Sequence, residues 1–140
     1  MLLHIIARGK IGRSAEAELV ERYCKRLTMP HRITELPDRG GKPPPAPPGA
    51  ITVMLDEKGR QLTSMQFAKR LEGWRDNGAR ECRFLIGAAD GFEEAERANA
   101  DLLIAFGAMT WPHMMARAML AEQLWRACSI LAGHPYHREG

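Results

Sequence analysis

Short apolar runs and longer amphipathic stretches alternate along this 140-residue chain, and that alternation restricts its fold more than any other property of the sequence. Leu2 to Ala7 is a short, almost wholly apolar run stopped by Arg8-Gly9-Lys10, which predicts a buried first strand. Ser14 then caps a segment in which Ala17, Leu19, Val20, Tyr23, Cys24 and Leu27 recur at helical spacing. His31 to Leu36 alternates enough for a second strand, and Ala50 to Asp56, β-branched at its start, is a third, ended by Glu57-Lys58-Gly59. Thr63 or Ser64 caps a helix from Ser64 to Trp74, Cys82 to Ile86 forms strand four, and a short acidic helix (Glu93 to Ala98) leads to strand five, Leu102 to Ala105. The last element is a long helix from Pro112 to Leu131, with Pro112 at its favoured first position and Thr110 as a cap. Strands separated by helices pair in parallel, so the expected architecture is α/β, a mostly parallel sheet with helices on both faces. Ligands of such sheets bind at the carboxyl ends of the strands, which here are Leu55-Asp56, Gly87 to Gly91 and Phe106 to Trp111.

One segment breaks the alternation. Residues 40–49 hold five prolines within six positions, which forbid helix and central strand and favour an extended spacer. The roughly 40 residues before it are too few to fold alone without a metal or disulfide, so residues 1–140 are expected to form one domain with an internal linker.

Composition excludes several classes. Hydrophobic residues make up 45% and charged residues 26% of the chain, values of a folded globular protein. No apolar run approaches the roughly 18 residues of a membrane span, and the N-terminal run is too short for a secretory signal, so a cytoplasmic protein with no membrane partner is expected. Cys24, Cys82 and Cys128 are odd in number and widely spaced, and each lies in a periodic apolar segment. They read as small buried hydrophobes in a reducing compartment, and their spacing offers no metal site. The net charge of +3 is uneven, because residues 1–42 carry nine basic side chains against five acidic ones, which suits an anionic partner.

The final helix is apolar on two sides, with Met119, Leu120 and Ile130 on one and Met114, Ala121, Trp125 and Cys128 on the other. One side belongs on its own sheet; the economical cover for the other is a second subunit. The turn Ile86-Gly87-Ala88-Ala89-Asp90-Gly91 lets backbone approach a ligand, yet it is neither a dinucleotide fingerprint nor a phosphate-binding P-loop. The tail His134-Pro135-Tyr136-His137-Arg138-Glu139 gathers two imidazoles, a phenol and a guanidinium, groups that hold phosphate, stack on a base or move a proton.

Four motifs in this order, Phe84 to Phe92, Met109-Thr110-Trp111-Pro112-His113 with Arg117, Glu122 to Ala127, and His134 to Arg138, resemble the bacterial ribosomal RNA large subunit methyltransferase H family over nearly the whole chain. The resemblance implies a SPOUT-class enzyme with a C-terminal trefoil knot and a homodimer in which the long C-terminal helix lies at the interface. The cofactor would be S-adenosyl-L-methionine and the substrate N3 of a pseudouridine in helix 69 of 23S rRNA, in the 50S subunit or the 70S ribosome. The family's cofactor contacts map onto Leu55, Gly87 and the loop Phe106-Gly107-Ala108-Met109-Thr110-Trp111. No metal is implied.

The N3 imide proton must leave before nitrogen attacks. His137 is expected to accept it, or His137 and Arg138 to stabilise the developing anion, with Tyr136 orienting the ring. Arg8, Lys10, Arg13, Arg117 and Arg126 are the candidates for rRNA phosphate contacts. For Arg126, pairing with Glu122 one turn earlier is the competing role. The chain departs from the family in two places: the proline spacer replaces a helix, and Ala88 stands where a second glycine is usual. A methyltransferase of the same class acting on tRNA, and a non-catalytic basic RNA-binding ribosome assembly factor, are the alternatives.

Overall fold

The computed structural model describes residues 1–138. Five strands, β1 (Leu2–Arg8), β2 (His31–Leu36), β3 (Ile51–Arg60), β4 (Glu81–Ile86) and β5 (Leu102–Ile104), form one sheet in the order β2-β1-β4-β3-β5. Every pair is parallel. The strands before and after the proline-rich segment thus share a sheet. Four helices connect them: α1 (Ala15–Cys24), α2 (Ser64–Asp76), α3 (Glu94–Ala98) and α4 (His113–Leu131).

Local chemistry sets the helix starts. The Ser14 hydroxyl accepts from the Ala17 amide, and Thr63 forms a reciprocal capping box with Gln66. The expected cap of α4 differs. Pro112 occupies the cap position and the Thr110 hydroxyl donates instead to Glu57 at 2.9 Å, because the loop before α4 folds back over β3.

Strand alternation sorts side chains onto two faces. Leu3, Ile5, Val53, Phe84, Leu102 and Ile104 point to the face where α4 packs between α1 and α2, and together they make the main core. Leu120 and Cys128 on α4, which fall on opposite apolar sides in projection, are both buried within this one subunit. The helix is flanked by α1 and α2 and packs on the sheet, so much of the apolar surface expected to face a second copy is already covered. All three cysteines are buried and free, and burial pushes the Cys24 thiol up to about 11.

The other face is covered differently. Its buried residues include Ile6, Met54 and the polar His4, Glu81 and Arg83: half-buried Thr34 has its Oγ1 2.6 Å from His4 Nε2, His4 Nδ1 lies 3.4 Å from Glu81, and Arg83 Nε donates to the same carboxylate at 2.5 Å. Arg83 then donates to the Pro44 carbonyl at 2.6 Å, which seats the proline-rich segment on this face. Proline offers acceptors and no donors, so a buried arginine is its natural partner.

β3 runs four residues past its expected end at Asp56. Leu55 and Arg60 both pair with Ile104, so residues 56–59 form an irregular bulge. A Cβ on Gly59 would lie 2.6 Å from the backbone nitrogen and carbon of Ile104. Glycine therefore lets the backbone lie against β5 where the composition alone predicts a turn.

Candidate active site

The carboxyl ends of β4, β3 and β5 stand side by side and open into a cleft of about 820 Å³, counting the part exposed to solvent. Leu55, Asp56 and Glu57 line it from β3, the turn Gly87 to Gly91 from β4, and Ile104 to Gly107 and Met109 to Trp111 from β5 and its loop. His113 and Ala116 close it from the first turns of α4.

Each wall is fixed by its own chemistry. A Cβ on Gly87 would sit 3.2 Å from the Gly91 carbonyl group, so a larger residue there would press on the turn. Gly107 has a φ of 104°, a left-handed backbone that glycine adopts without strain. The loop is pinned at two points, where Trp111 Nε1 donates to the Phe106 carbonyl at 2.9 Å and Thr110 donates to Glu57. Met109, 78% exposed, and Trp111, 43% exposed, leave apolar surface at the rim.

Acidic groups give the cleft a second character. Burial pushes the Asp56 carboxyl upward, but the Lys58 amide and the Arg97 guanidinium, 2.7 Å away, outweigh it and hold Asp56 below the usual carboxylate range. Arg97 carries this bond from α3, so one ion pair ties that short helix to the floor of the cleft. Apolar rings, close backbone and carboxylates suit a ligand with a flat heterocycle and a cationic group.

The residues expected at the strand ends are therefore brought together: Leu55, Gly87, Phe106, Gly107, Met109, Thr110 and Trp111 all line the cleft, while Ala108 does not. Asp56, expected with Leu55 at the end of its strand, and His113, from the Met109 to His113 motif, line it too, while Glu57 and Arg97 join them without having been expected. The signal for Asp56 and Glu57 was their position at the end of β3; Arg97 carried none, because its partner lies 41 positions away.

The basic residues separate into two groups. Lys10 and Arg13 are exposed on the loop after β1. Arg117 is not available to a phosphate: it is 1% exposed, it donates to Glu35 at 2.6 Å and to the Gly9 carbonyl at 3.0 Å, and it fastens α4 to the ends of β1 and β2. Arg8 donates to the carbonyls of Pro37, Gly40 and Gly41, organising the start of the proline-rich segment. Arg126 pairs with Glu122, the competing role.

The tail lies elsewhere. Tyr136 donates to Glu122 at 2.9 Å and its ring meets Trp125, with centroids 5.5 Å apart, while Arg126 sits 4.8 Å over the Tyr136 ring and 3.1 Å from His137 Nδ1. Arg138 is exposed, and Glu139 lies outside the described residues. Arg126 lies thirteen positions after His113 on α4, so tail and cleft are roughly 20 Å apart along the helix axis.

Residues 1–137 match the family described as "Predicted SPOUT methyltransferase". This chain belongs to the SPOUT methyltransferase family. It is 72% identical over 140 residues to "Ribosomal RNA large subunit methyltransferase H" of Rhizorhabdus wittichii, covering all of both chains. A relative of the same name from Paramagnetospirillum magneticum is 49% identical over 151 residues, covering 99% of each. The SPOUT fold is matched in a solved structure of a probable methylase family protein from Haemophilus influenzae Rd KW20, with a TM-score of 0.58 at 9% identity over 98% of this chain and 70% of that one. The four motifs that carried the resemblance thus lie in a SPOUT chain, and the cleft is built from three of its strand ends. Among the described residues no helix is long and apolar enough to cross a membrane, and no group of side chains is arranged to hold a metal ion.

Proposed function

We propose that this chain methylates N3 of a pseudouridine in helix 69 of 23S rRNA, in the 50S subunit or the 70S ribosome, using S-adenosyl-L-methionine in the cytoplasm. The observation that carries the reading is the cleft at the ends of β3, β4 and β5, lined by seven of the eight residues that the family's cofactor motif places there. The relatives named as ribosomal RNA methyltransferases supply the substrate class.

Leu55, Met109 and Trp111 would enclose the adenine, and the open backbone at Gly87 and at Phe106 to Ala108 would admit the ribose and methionyl groups. The acidic side of the cleft complements the positive charge of a sulfonium. The cofactor supplies an electrophilic methyl carbon; this chain supplies position, which is the main lever in such a transfer. Lys10 and Arg13 hold rRNA phosphates, and the segment from β5 into α4 threads a trefoil knot.

The tail is held roughly 20 Å from the cleft of its own chain. A homodimer in which the tail of one subunit completes the cleft of the other resolves that separation. His137 and Arg138 would then stabilise the imide anion, and Tyr136, set by Glu122 and Trp125, would orient them.

The test is transfer of labelled methyl to 50S subunits and 70S ribosomes from cells lacking the activity, with the modified nucleoside identified by mass spectrometry. Label on N3 of the helix 69 pseudouridine is the expected result. Label only on tRNA points to a different substrate, and absence of cofactor binding leaves an RNA-binding assembly factor.

A further inference from the structure

Loss of the imide proton of pseudouridine is assisted by an acceptor beside the cofactor cleft. His137 Nδ1 lies 3.1 Å from the Arg126 guanidinium, and in the proposed dimer His137 and Arg138 stabilise the anion that is left once the proton has gone. Within the cleft, Asp56 is committed to Arg97 and to the Lys58 amide, and Glu57 accepts the Thr110 hydroxyl. Asp90 is exposed on the turn.

His113 differs from all of these. It is half-buried, it lines the cleft, and no hydrogen bond or ion pair engages its imidazole among the described residues. It is also the side chain that borders the basic loop. A Cβ on Gly9 would meet the Asp38 carboxylate at 3.0 Å, Met114 at 3.1 Å and His113 Nε2 at 3.7 Å. Gly9 thus leaves open the space that a side chain would fill, bordered by the imidazole, Met114 and a carboxylate, one residue before Lys10. A base that enters from an RNA held by Lys10 and Arg13 passes His113 on its way to the cofactor cleft.

The charges around this position are accounted for. Arg117, one turn along α4, is neutralised by Glu35, and Arg8 is held by three backbone carbonyls. Asp56 and Arg97 neutralise each other across the cleft, where Glu57 also stands. The Asp38 carboxylate is the acidic group that stands beside Gly9 together with His113.

We propose that His113 is the general base that removes the N3 proton. The inference rests on the proposed rRNA methylation. In the step, the N3–H bond breaks and its electron pair stays on nitrogen, while the proton bonds to an imidazole nitrogen of His113. The freed pair forms the N–CH3 bond as the methyl carbon's bond to sulfur breaks, and that pair returns to sulfur. The proton later passes to solvent. Histidine suits the task because its ordinary pKa leaves it mostly neutral at physiological pH.

The experiment compares wild type with His113→Gln in two measurements, S-adenosylmethionine binding by calorimetry and single-turnover methyl transfer to ribosomes across pH. The expected variant binds the cofactor within about threefold of wild type and transfers methyl about 10²-fold or more slowly. It also loses the acidic limb of the wild-type profile, gains rate as alkaline pH ionises the imide unaided, and is partly rescued by added imidazole. Turnover of His113→Gln within twofold of wild type at every pH overturns the role of His113 alone. Wild-type protein that transfers no methyl to the ribosome overturns the proposed function, and the role of His113 with it.

Discussion

Arg117 and Lys10 show how little residue type says about role until the surroundings are known. Both are basic and both belong to segments that suit an anionic partner, yet one is a buried strut and the other an exposed charge. Replacing Arg117 with Gln removes the ion pair to Glu35 and the bonds to the Gly9 and Arg8 carbonyls. The expected loss is about 2–3 kcal/mol, below the roughly 3–5 of a fully buried pair because Glu35 still reaches water. In thermal denaturation this appears as a midpoint several degrees lower. The salt dependence of RNA binding by the folded variant stays at the wild-type slope. Lys10→Ala and Arg13→Ala behave in the opposite way: stability changes by less than about 0.5 kcal/mol, while each lowers the slope of log affinity against log salt by about one. An Arg117→Gln protein with full stability and a reduced slope would return this arginine to the RNA surface.

Among the elements, the second face of the sheet carries the strongest pH sensitivity. Burial holds the His4 imidazole below its ordinary 6.5, against the opposing pull of Glu81. A base whose folded pKa is depressed takes its proton in the unfolded chain first, so the folded state loses stability as pH falls below about 6.5. Burial raises the Glu81 carboxyl, but Arg83 and His4 outweigh it and leave Glu81 below its ordinary 4.5. Glu35 and Asp56 are likewise lowered from 4.5 and 3.8. Their contribution is complete above those values and is lost as pH falls through them. Denaturation midpoints are therefore expected to decline in two stages, the first from His4 and the second from the carboxylates. A His4→Gln variant lacks the first stage, and curves parallel to wild type between about pH 5 and 7 would refute this assignment. Because Arg83 links this chain of polar groups to Pro44, loosening it also frees the proline-rich segment from the sheet.

For the whole molecule, the separation of tail and cleft makes oligomeric state a functional matter. If the tail of one subunit serves the cleft of the other, two inactive variants complement each other. A cleft variant such as Gly87→Val mixed with His137→Ala gives heterodimers with one complete site, and methyl transfer returns to a sizeable fraction of wild type. A tail serving its own cleft gives no recovery, and mixing the separately inactive proteins under subunit exchange distinguishes the two. The same comparison fixes how much of the reaction depends on the tail, since His137→Ala alone retains cofactor binding in either case.

Local chemistry in the chain was enough for the element order, the cap at Ser14, the choice of Thr63 or Ser64 as the next cap, and the strand ends that line the cleft. These depend on apolar period and on residues a few positions apart, so they are written in short windows of sequence. The four linked motifs were enough for the SPOUT family. Tertiary structure alone decided the rest. Arg117 meets Glu35 across 82 positions, Arg97 meets Asp56 across 41, and Arg83 meets Pro44 across 39. β3 continues past Asp56 because Gly59 rests on the backbone of Ile104, and no local signal marks that approach. His113 joins the cleft, and His137 stays away from it, because α4 is long enough to hold its two ends apart. Period and propensity act over a few residues, whereas the partner of a charge and the distance between two sites are set by how the sheet brings distant segments together.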